Sequence, residues 1–352
     1  MENPDSISQA HLATGRAVDQ LRRQLGIIFQ EDNGALLGAC PIEGLTPGLL
    51  AQLPPNRSLL LTTARARSLG FDTQNAKIVR INATHLSLSE LQSLADPLAD
   101  KTLPDIDLLP VTPSHETLLT LAKYASLLPA MLTVESAPFP ADWLRVSASD
   151  VAAYWAAPPL DIVPLTQAAL PMQGVENAKI ICFRTRWGTS THLALIIGEP
   201  GDNPLTRIHS SCITGDILGS LRCDCGDQLS MAIQQISEAG SGILLYLHQE
   251  GRGIGIANKL RAYQLQERGV DTYEANLMLG FEEDERDFTI AAAILKKLGI
   301  AAIRMLTNNP QKMHALEKAG ITISQRIPLI AASGQHNHAY LKAKTQKAGH
   351  LF

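Results

Sequence analysis

The chain has 352 residues, 45% hydrophobic and 18% charged, with a formal net charge of −4. That balance describes a globular chain long enough for two domains and excludes disorder, and the acidic charge excludes global attraction to nucleic acid or anionic membrane. With no run of about 18 apolar residues, no basic-then-apolar leader after Met1, and three of five cysteines packed together, the expectation is a cytoplasmic protein whose thiols bind metal.

From Leu12 to about Glu135 the chain is rich in leucine and alanine. Leu25 to Phe29 and Arg57 to Thr63 predict strands, and Ser114 to Leu128 predicts a helix. Cys40 and Cys182 sit in apolar contexts and are expected to be buried bystanders. Ala156-Ala-Pro-Pro159, Val163-Pro164 and Leu170-Pro171 read as the breaks of a linker, which puts a domain boundary near residue 160.

Beyond it, Lys179 to Arg186 and Thr191 to Ile197 predict two strands joined by a turn around Gly188. Leu229, Ala232, Ile233 and Ile236 recur at helical spacing, so Asp227 to Ala239 predicts an amphipathic helix closed by Gly240. A buried strand over Gly242 to Leu247 follows, then helices over Ile254 to Arg268 and Phe288 to Leu298. A strand over Ala302 to Leu306 and a helix opening at Pro310 come last. Alternating strands and helices predict an α/β fold: a layered C-terminal α/β domain (161–352) with a mixed sheet and a metal site, preceded by a second domain (1–160) of α/β type, here α+β.

Four clusters carry chemistry. Cys212, Cys223 and Cys225 lie within a polar stretch from Arg207 to Gly226 that also holds His209, Asp216 and Asp224. Buried free thiols are the plain alternative, but the polar setting opposes it, and a zinc ribbon would need paired Cys-x2-Cys hooks. Three thiolates without a fourth describe a zinc ion with a position left for water, as in catalytic sites. His248-Gln-Glu250-Gly-Arg252-Gly-Ile-Gly255 is either a tight connection or a glycine-rich turn whose backbone N–H groups meet an anion. Its spacing is neither the Walker nor the dinucleotide pattern. Glu282 to Asp287 is an acidic run that can cap the following helix, with Arg286 left unexplained by capping. Thr307 and Lys312 fall where a strand ends and a helix begins, the carboxyl edge at which open α/β sheets bind ligands. Arg207, Arg252, Arg286 and Lys312 together supply cations suited to a polyphosphate.

These motifs, with Arg261-Ala-Tyr263 and Leu306-Thr-Asn-Asn-Pro310 in the same order, resemble the GTP cyclohydrolase II family from about residue 175 to Phe352. The resemblance implies that Cys212, Cys223 and Cys225 hold Zn2+, that a zinc-activated water attacks C8 of guanine, and that the opened ring releases formate. It implies Asp284 as proton acceptor, Arg286 at the α-phosphorus where pyrophosphate leaves with Mg2+ on the phosphates, and Tyr263 beside the purine. It assigns GTP contacts to Arg207, Gln228, Glu250, Arg252, Thr272, Thr307 and Lys312, and favours a homodimer. Ser211 stands where many members carry Glu, and Gly253 where some carry Asn.

Residues 25–32, Ser114-His115-Glu116 and Pro129 to Glu135 resemble 3,4-dihydroxy-2-butanone 4-phosphate synthase. That enzyme's metal-binding loop is rich in carboxylates, whereas this chain reads Glu31-Asp32-Asn33-Gly34, so the first domain is expected to be catalytically silent. A regulator that has lost its chemistry would have no need of three thiolates, Asp284 and Arg286. A nucleic-acid module is opposed by the acidic charge and the 5% aromatic content.

Overall fold

Two seven-stranded sheets, one in each of two units, organise the computed structural model, which describes residues 4–73, 76–99, 104–135, 137–156, 162–185 and 190–330. The first unit comprises residues 1–157 with 254–285, and the second 158–253 with 286–352. The prolines of 157–161, the turn around Gly188 and the chain beyond residue 330 lie outside the described residues. No helix among the described residues is long and apolar enough to cross a membrane.

The first unit runs α1 (Pro4–Arg22), β1 (Ile27–Gln30), β2 (Leu36–Pro41), α2 (Pro47–Gln52), β3 (Arg57–Thr62), α3 (Thr63–Ser68), β4 (Ile78–Asn82) and α4 (Leu88–Ala95). It continues with β5 (Leu108–Leu109), α5 (Pro113–Tyr124), β6 (Ala130–Val134), β7 (Leu144–Ser147) and α6 (Ala148–Ala156). Its sheet has the order β5-β4-β3-β6-β2-β1-β7 and is antiparallel except for the β1–β7 pair. Side chains alternate across a strand, so Phe29, Leu60 and Met131 pack with α1 and α5, while Leu59, Leu61 and Leu132 pack with α4. Both faces are covered, and the strands accordingly read as apolar runs. Helix α5 stops short of the predicted Leu128 because Ser126 adopts a left-handed conformation (φ 60°), which ends a helix.

The second unit begins with β8 (Ile162–Ala169), β9 (Ala178–Thr185), β10 (Thr191–Ile197), β11 (Leu205–Ser210), α7 (Cys225–Glu238) and β12 (Gly242–Leu247). The next two helices, α8 (Gly255–Glu267) and α9 (Thr272–Met278), belong to the first unit; α10 (Thr289–Lys297), β13 (Ala302–Leu306), α11 (Pro310–Lys318) and β14 (Thr322–Ile327) complete the second. The order β14-β13-β11-β12-β10-β9-β8 is parallel through β12 and antiparallel beyond it, the mixed sheet expected of an α/β domain.

The prolines at 164 and 171 predicted linker, yet Pro164 lies inside β8, which pairs with β9. The strand is at the sheet edge and shifts register between Pro164 and Thr166, two of the settings in which a residue without an N–H is tolerated. In β12, Ile243, Leu245 and Leu247 face the core that holds α10 and α11, and Leu244 faces the α7 side. Alternation therefore turns Arg207 and His209 of β11, like Leu205, toward α7.

Candidate functional site

Parallel strands β11, β12 and β13 all end at one edge of the second sheet, and the residues that follow each end build the site. After β11 the chain makes a single π-helical turn over Ile213–Ile217, with Cys212 at its start; Cys225 opens α7. The sulfurs of Cys212, Cys223 and Cys225 lie within 4.8 Å of one another, and Cys212 Sγ is 3.6 Å from Cys223 Sγ. Metal–sulfur bonds of about 2.3 Å in a tetrahedral site place sulfurs about 3.8 Å apart, so the spacing fits one bound ion. Among the described residues no other Cys, His, Asp or Glu joins the group. Cys225 is held well above the ordinary thiol range by hydrogen bonding with Cys212 and Cys223 and then by burial; Cys212 likewise raises Cys223. A divalent cation removes that mutual opposition to ionisation, so this donor set fits a metal.

The thiols can meet because Gly215 has no side chain: a Cβ there would stand 2.7 Å from Cys223 Sγ and 3.1 Å from Cys212 Sγ. Asp216, in the same turn, accepts the Cys212 backbone N–H at 2.9 Å, the Tyr246 hydroxyl at 2.9 Å and His209 Nε2 at 3.1 Å. His209 and Tyr246 are register partners on β11 and β12, and their rings stack with centroids 5.6 Å apart. Burial lowers the His209 pKa despite its carboxylate partner, so this contact is a hydrogen bond from a neutral imidazole and not an ion pair. Burial, reinforced by Asp216, raises the Tyr246 phenol. The sequence reading passed over Asp216 and Tyr246 as functional groups, although the Thr214-Gly-Asp216 run lies beside the thiols.

Glu250 begins the turn after β12 and is buried; its Oε2 accepts the Ile213 N–H at 2.7 Å and its Oε1 the Gly251 N–H at 3.1 Å. Arg252, two residues on, is half-buried with φ 61°. Ser211 is buried, and its Oγ accepts the Gln249 N–H at 3.2 Å and so ties the exits of β11 and β12 together. Cys40 is fully buried, and burial pushes its thiol up to about 12, while Cys182 is only half-buried, since β9 leaves part of that position accessible.

A set of cations completes this edge. Arg207 donates from Nη1 to the Leu306 carbonyl (2.9 Å) and from Nη2 to Gln228 Oε1 (2.7 Å), and Gln228 in turn donates to Asp224 at 2.6 Å. Burial lowers Arg207 to about 10, Asp224 and Cys225 oppose the shift, and the charge of Arg286 adds to it. The Phe288 ring has two cations near it, with the Arg286 guanidinium 5.2 Å and Lys312 Nζ 5.3 Å from its centre. Lys312 also donates to the Ile208 carbonyl at 3.1 Å, and Thr307 Oγ1 accepts the Asn309 N–H. Asp287 accepts from both Thr289 N–H and its hydroxyl, so part of the acidic run does cap α10.

Arg207, Gln228, Glu250, Arg252, Arg286, Thr307 and Lys312 thus share the second unit with the three cysteines. Tyr263 on α8, Thr272 at the start of α9 and Asp284 belong to the first. Lys259 Nζ lies 5.8 Å from the Tyr263 ring centre, and Thr272 Oγ1 accepts from Gln266 Nε2 at 3.2 Å.

Comparison with known proteins adds a family. A model of GTP cyclohydrolase II matches residues 164–328. GTP cyclohydrolase-2 of Azospirillum brasilense is 38% identical over 374 residues, covering 99% of this chain and 97% of its own. GTP cyclohydrolase-2 of Blochmanniella floridana is 55% identical over 175 residues, 49% of this chain but 88% of the relative. Among solved structures, RibBX, a two-domain 3,4-dihydroxy-2-butanone 4-phosphate synthase from A. baumannii, covers 91% of the chain at 16% identity with a TM-score of 0.31, too low to bear on this chain.

Proposed function

Because the chain belongs to the GTP cyclohydrolase II family, we propose that its second sheet edge carries that family's chemistry in full: hydrolysis of GTP to the diaminopyrimidine ribosylamine phosphate, formate and pyrophosphate. The chain is an enzyme of riboflavin biosynthesis. The observation that carries the reading is the three-thiol cluster beside Arg207, Arg286 and Lys312. Cys212, Cys223 and Cys225 would hold Zn2+, which when bound supplies Lewis acidity and a hydrolytic nucleophile at neutral pH.

The chain's own residues bind and move charge around that centre. Arg286 and Lys312, braced on Phe288, neutralise the triphosphate together with Mg2+, and Arg286 acts at the α-phosphorus where pyrophosphate departs. Arg207 and Arg252 add cationic donors. Asp284 accepts a proton, Tyr263 lies along the purine, and Gln228, Thr272 and Thr307 hydrogen-bond the nucleotide. Glu250 reads guanine by accepting from N1–H and the exocyclic amine through lone pairs left over from its two backbone contacts. In Glu250→Gln the amide oxygen can still accept the Ile213 N–H, so metal content should persist while the preference for GTP over ATP is lost, which competition binding of the two nucleotides would report.

The remaining assignments follow the same reading. The protein works in the cytoplasm as a homodimer, without nucleic-acid or membrane partners. Residues 1–160 form a degenerate synthase-like domain without catalysis of its own, and residues 161–352 the cyclohydrolase. The deciding experiment incubates the zinc-loaded protein with GTP and Mg2+ and assays formate and pyrophosphate. Release of both supports the reading; pyrophosphate or GMP without formate overturns the ring-opening assignment.

A further inference from the structure

Residues 254–285 carry Tyr263, Thr272 and Asp284, yet the partners that fix their conformation come from the first 157 residues. Several contacts do this through charge and hydrogen bonds. Arg261 on α8 is held by Glu43 (Nη2 to Oε1, 2.7 Å) and by Asp96 (Nε to Oδ2, 3.3 Å), and it donates to Asn258 Oδ1 at 2.7 Å. Glu43 is itself fixed, because its Oε2 accepts the Leu128 N–H at 2.9 Å, and Asn258 donates to the Ser126 carbonyl at 2.9 Å. Arg65 on α3 is buried and donates to the Ser93 and Leu94 carbonyls at the end of α4 and to the Met278 carbonyl at the end of α9.

Another contact is a close approach to the backbone of Gly280. Thr62 donates to the Gly280 carbonyl at 2.8 Å, and Gly280 has φ +87° with no room for a side chain: a Cβ would stand 2.9 Å from Thr62 Oγ1 and from Pro129. Lys123 and Glu285 form an ion pair at 2.6 Å near the end of the segment. Beneath these contacts, Leu128 packs with Ile254, Ala262, Leu265, Leu279 and Phe281 in one apolar cluster. The segment has an apolar face, polar clamps at both helices and a glycine shaped to its neighbour.

We propose that Glu43, Asp96 and Arg65 are positioning residues of the reaction, and that the first 157 residues serve as the scaffold that sets the conformation of the segment bearing Tyr263, Thr272 and Asp284. This inference rests on the roles given to those three residues under the proposed function. A catalytic group displaced by about 1 Å can cost roughly 100-fold in rate. On this account a domain without a carboxylate-rich loop of its own still serves the reaction, as the support of the segment packed on it.

The test uses the full, zinc-loaded chain and the double variant Glu43→Gln with Asp96→Asn, which removes both charges from Arg261 but leaves an amide oxygen at position 43 able to accept the Leu128 N–H. Amide exchange within 254–285 should quicken, zinc content should stay at the wild-type value, and kcat for formate release should fall roughly 10- to 100-fold with a smaller change in KM. Arg261→Met should give the same loss, and combined with the double variant should add little to it, as residues acting through one contact do. Unchanged exchange in 254–285, or faster exchange with wild-type kcat, would overturn the proposal. A wild-type chain that releases no formate from GTP would count against the reading of the reaction, while the exchange measurement would still decide whether Glu43 and Asp96 hold the segment.

Discussion

Asp216 has three donors converging on one carboxylate, and the Cys212 N–H is among them. It holds the turn that carries Cys212 in place without being within the thiol group itself. Groups of this kind typically contribute 10- to 100-fold to metal affinity through the orientation of the ligands. Asp216→Asn keeps the size but removes the charge and replaces one acceptor oxygen with a donor, so His209 or Tyr246 must reverse its role or lose its bond, and the Cys212 N–H keeps only a neutral amide acceptor. Metal affinity measured by chelator competition should fall roughly 10- to 100-fold, with the far-ultraviolet circular dichroism unchanged. Wild-type affinity would show that the turn is held by Gly215 and Glu250 alone. The thiols themselves were legible, since three cysteines in a polar stretch have few uses. Their support was less so: Tyr246 sits in an apolar strand, and only the pairing of β11 with β12 brings it to Asp216.

Among the elements, β9, β10, β12, β13 and α10 followed from apolar periodicity, because each buries a continuous face. Strand β11 was hidden by its own polar residues, Arg207 and His209, which are buried against the α7 side and serve the site. Helix α9 has seven residues, too few for a period to register, although Asp271 caps it by accepting the Tyr273 and Glu274 N–H groups. The β10–β12 pair has a titratable consequence. His192 on β10 is 2% exposed, its Nδ1 accepts the His248 N–H at 3.2 Å, and burial, aided by the neighbouring His248, lowers its pKa to about 4. The neutral form is the folded form, so protonation favours the unfolded chain. Its contribution is constant above the unfolded value near 6.5 and is lost as pH falls from there toward 4, with a limiting slope of about 1.4 kcal/mol per pH unit. His192→Gln can still accept the His248 N–H and cannot titrate. Urea unfolding of the second unit between pH 7 and pH 5 should therefore lose less stability in the variant than in the wild type; equal losses would place the acid sensitivity elsewhere.

At the scale of the molecule, chain order and packing order part company. Residues 254–285 lie between β12 and α10 in sequence, and both of those elements belong to the second unit, whereas the segment packs with Glu43, Arg65 and Leu128 of the first. Periodicity shows which face of α8 is apolar, but it carries no information about which core covers that face, and so the sequence read as one continuous alternation. Two units with separate sheets and cores need not unfold together. In a urea series followed by amide exchange, the amides of α8 and α9 should lose protection with β1, β3 and β6, not with β12 and β13 on either side of them in the chain. Chelation sharpens the expectation, because all three thiols belong to the second unit and a ligand stabilises only the fold that binds it. Removing the metal should move the transition of β12 and β13 to lower urea and leave that of α8 and α9 with the first sheet. If α8 and α9 instead follow β12 and respond to chelation, their stability comes from the metal-bearing unit, and the packing against the first 157 residues contributes little to holding them.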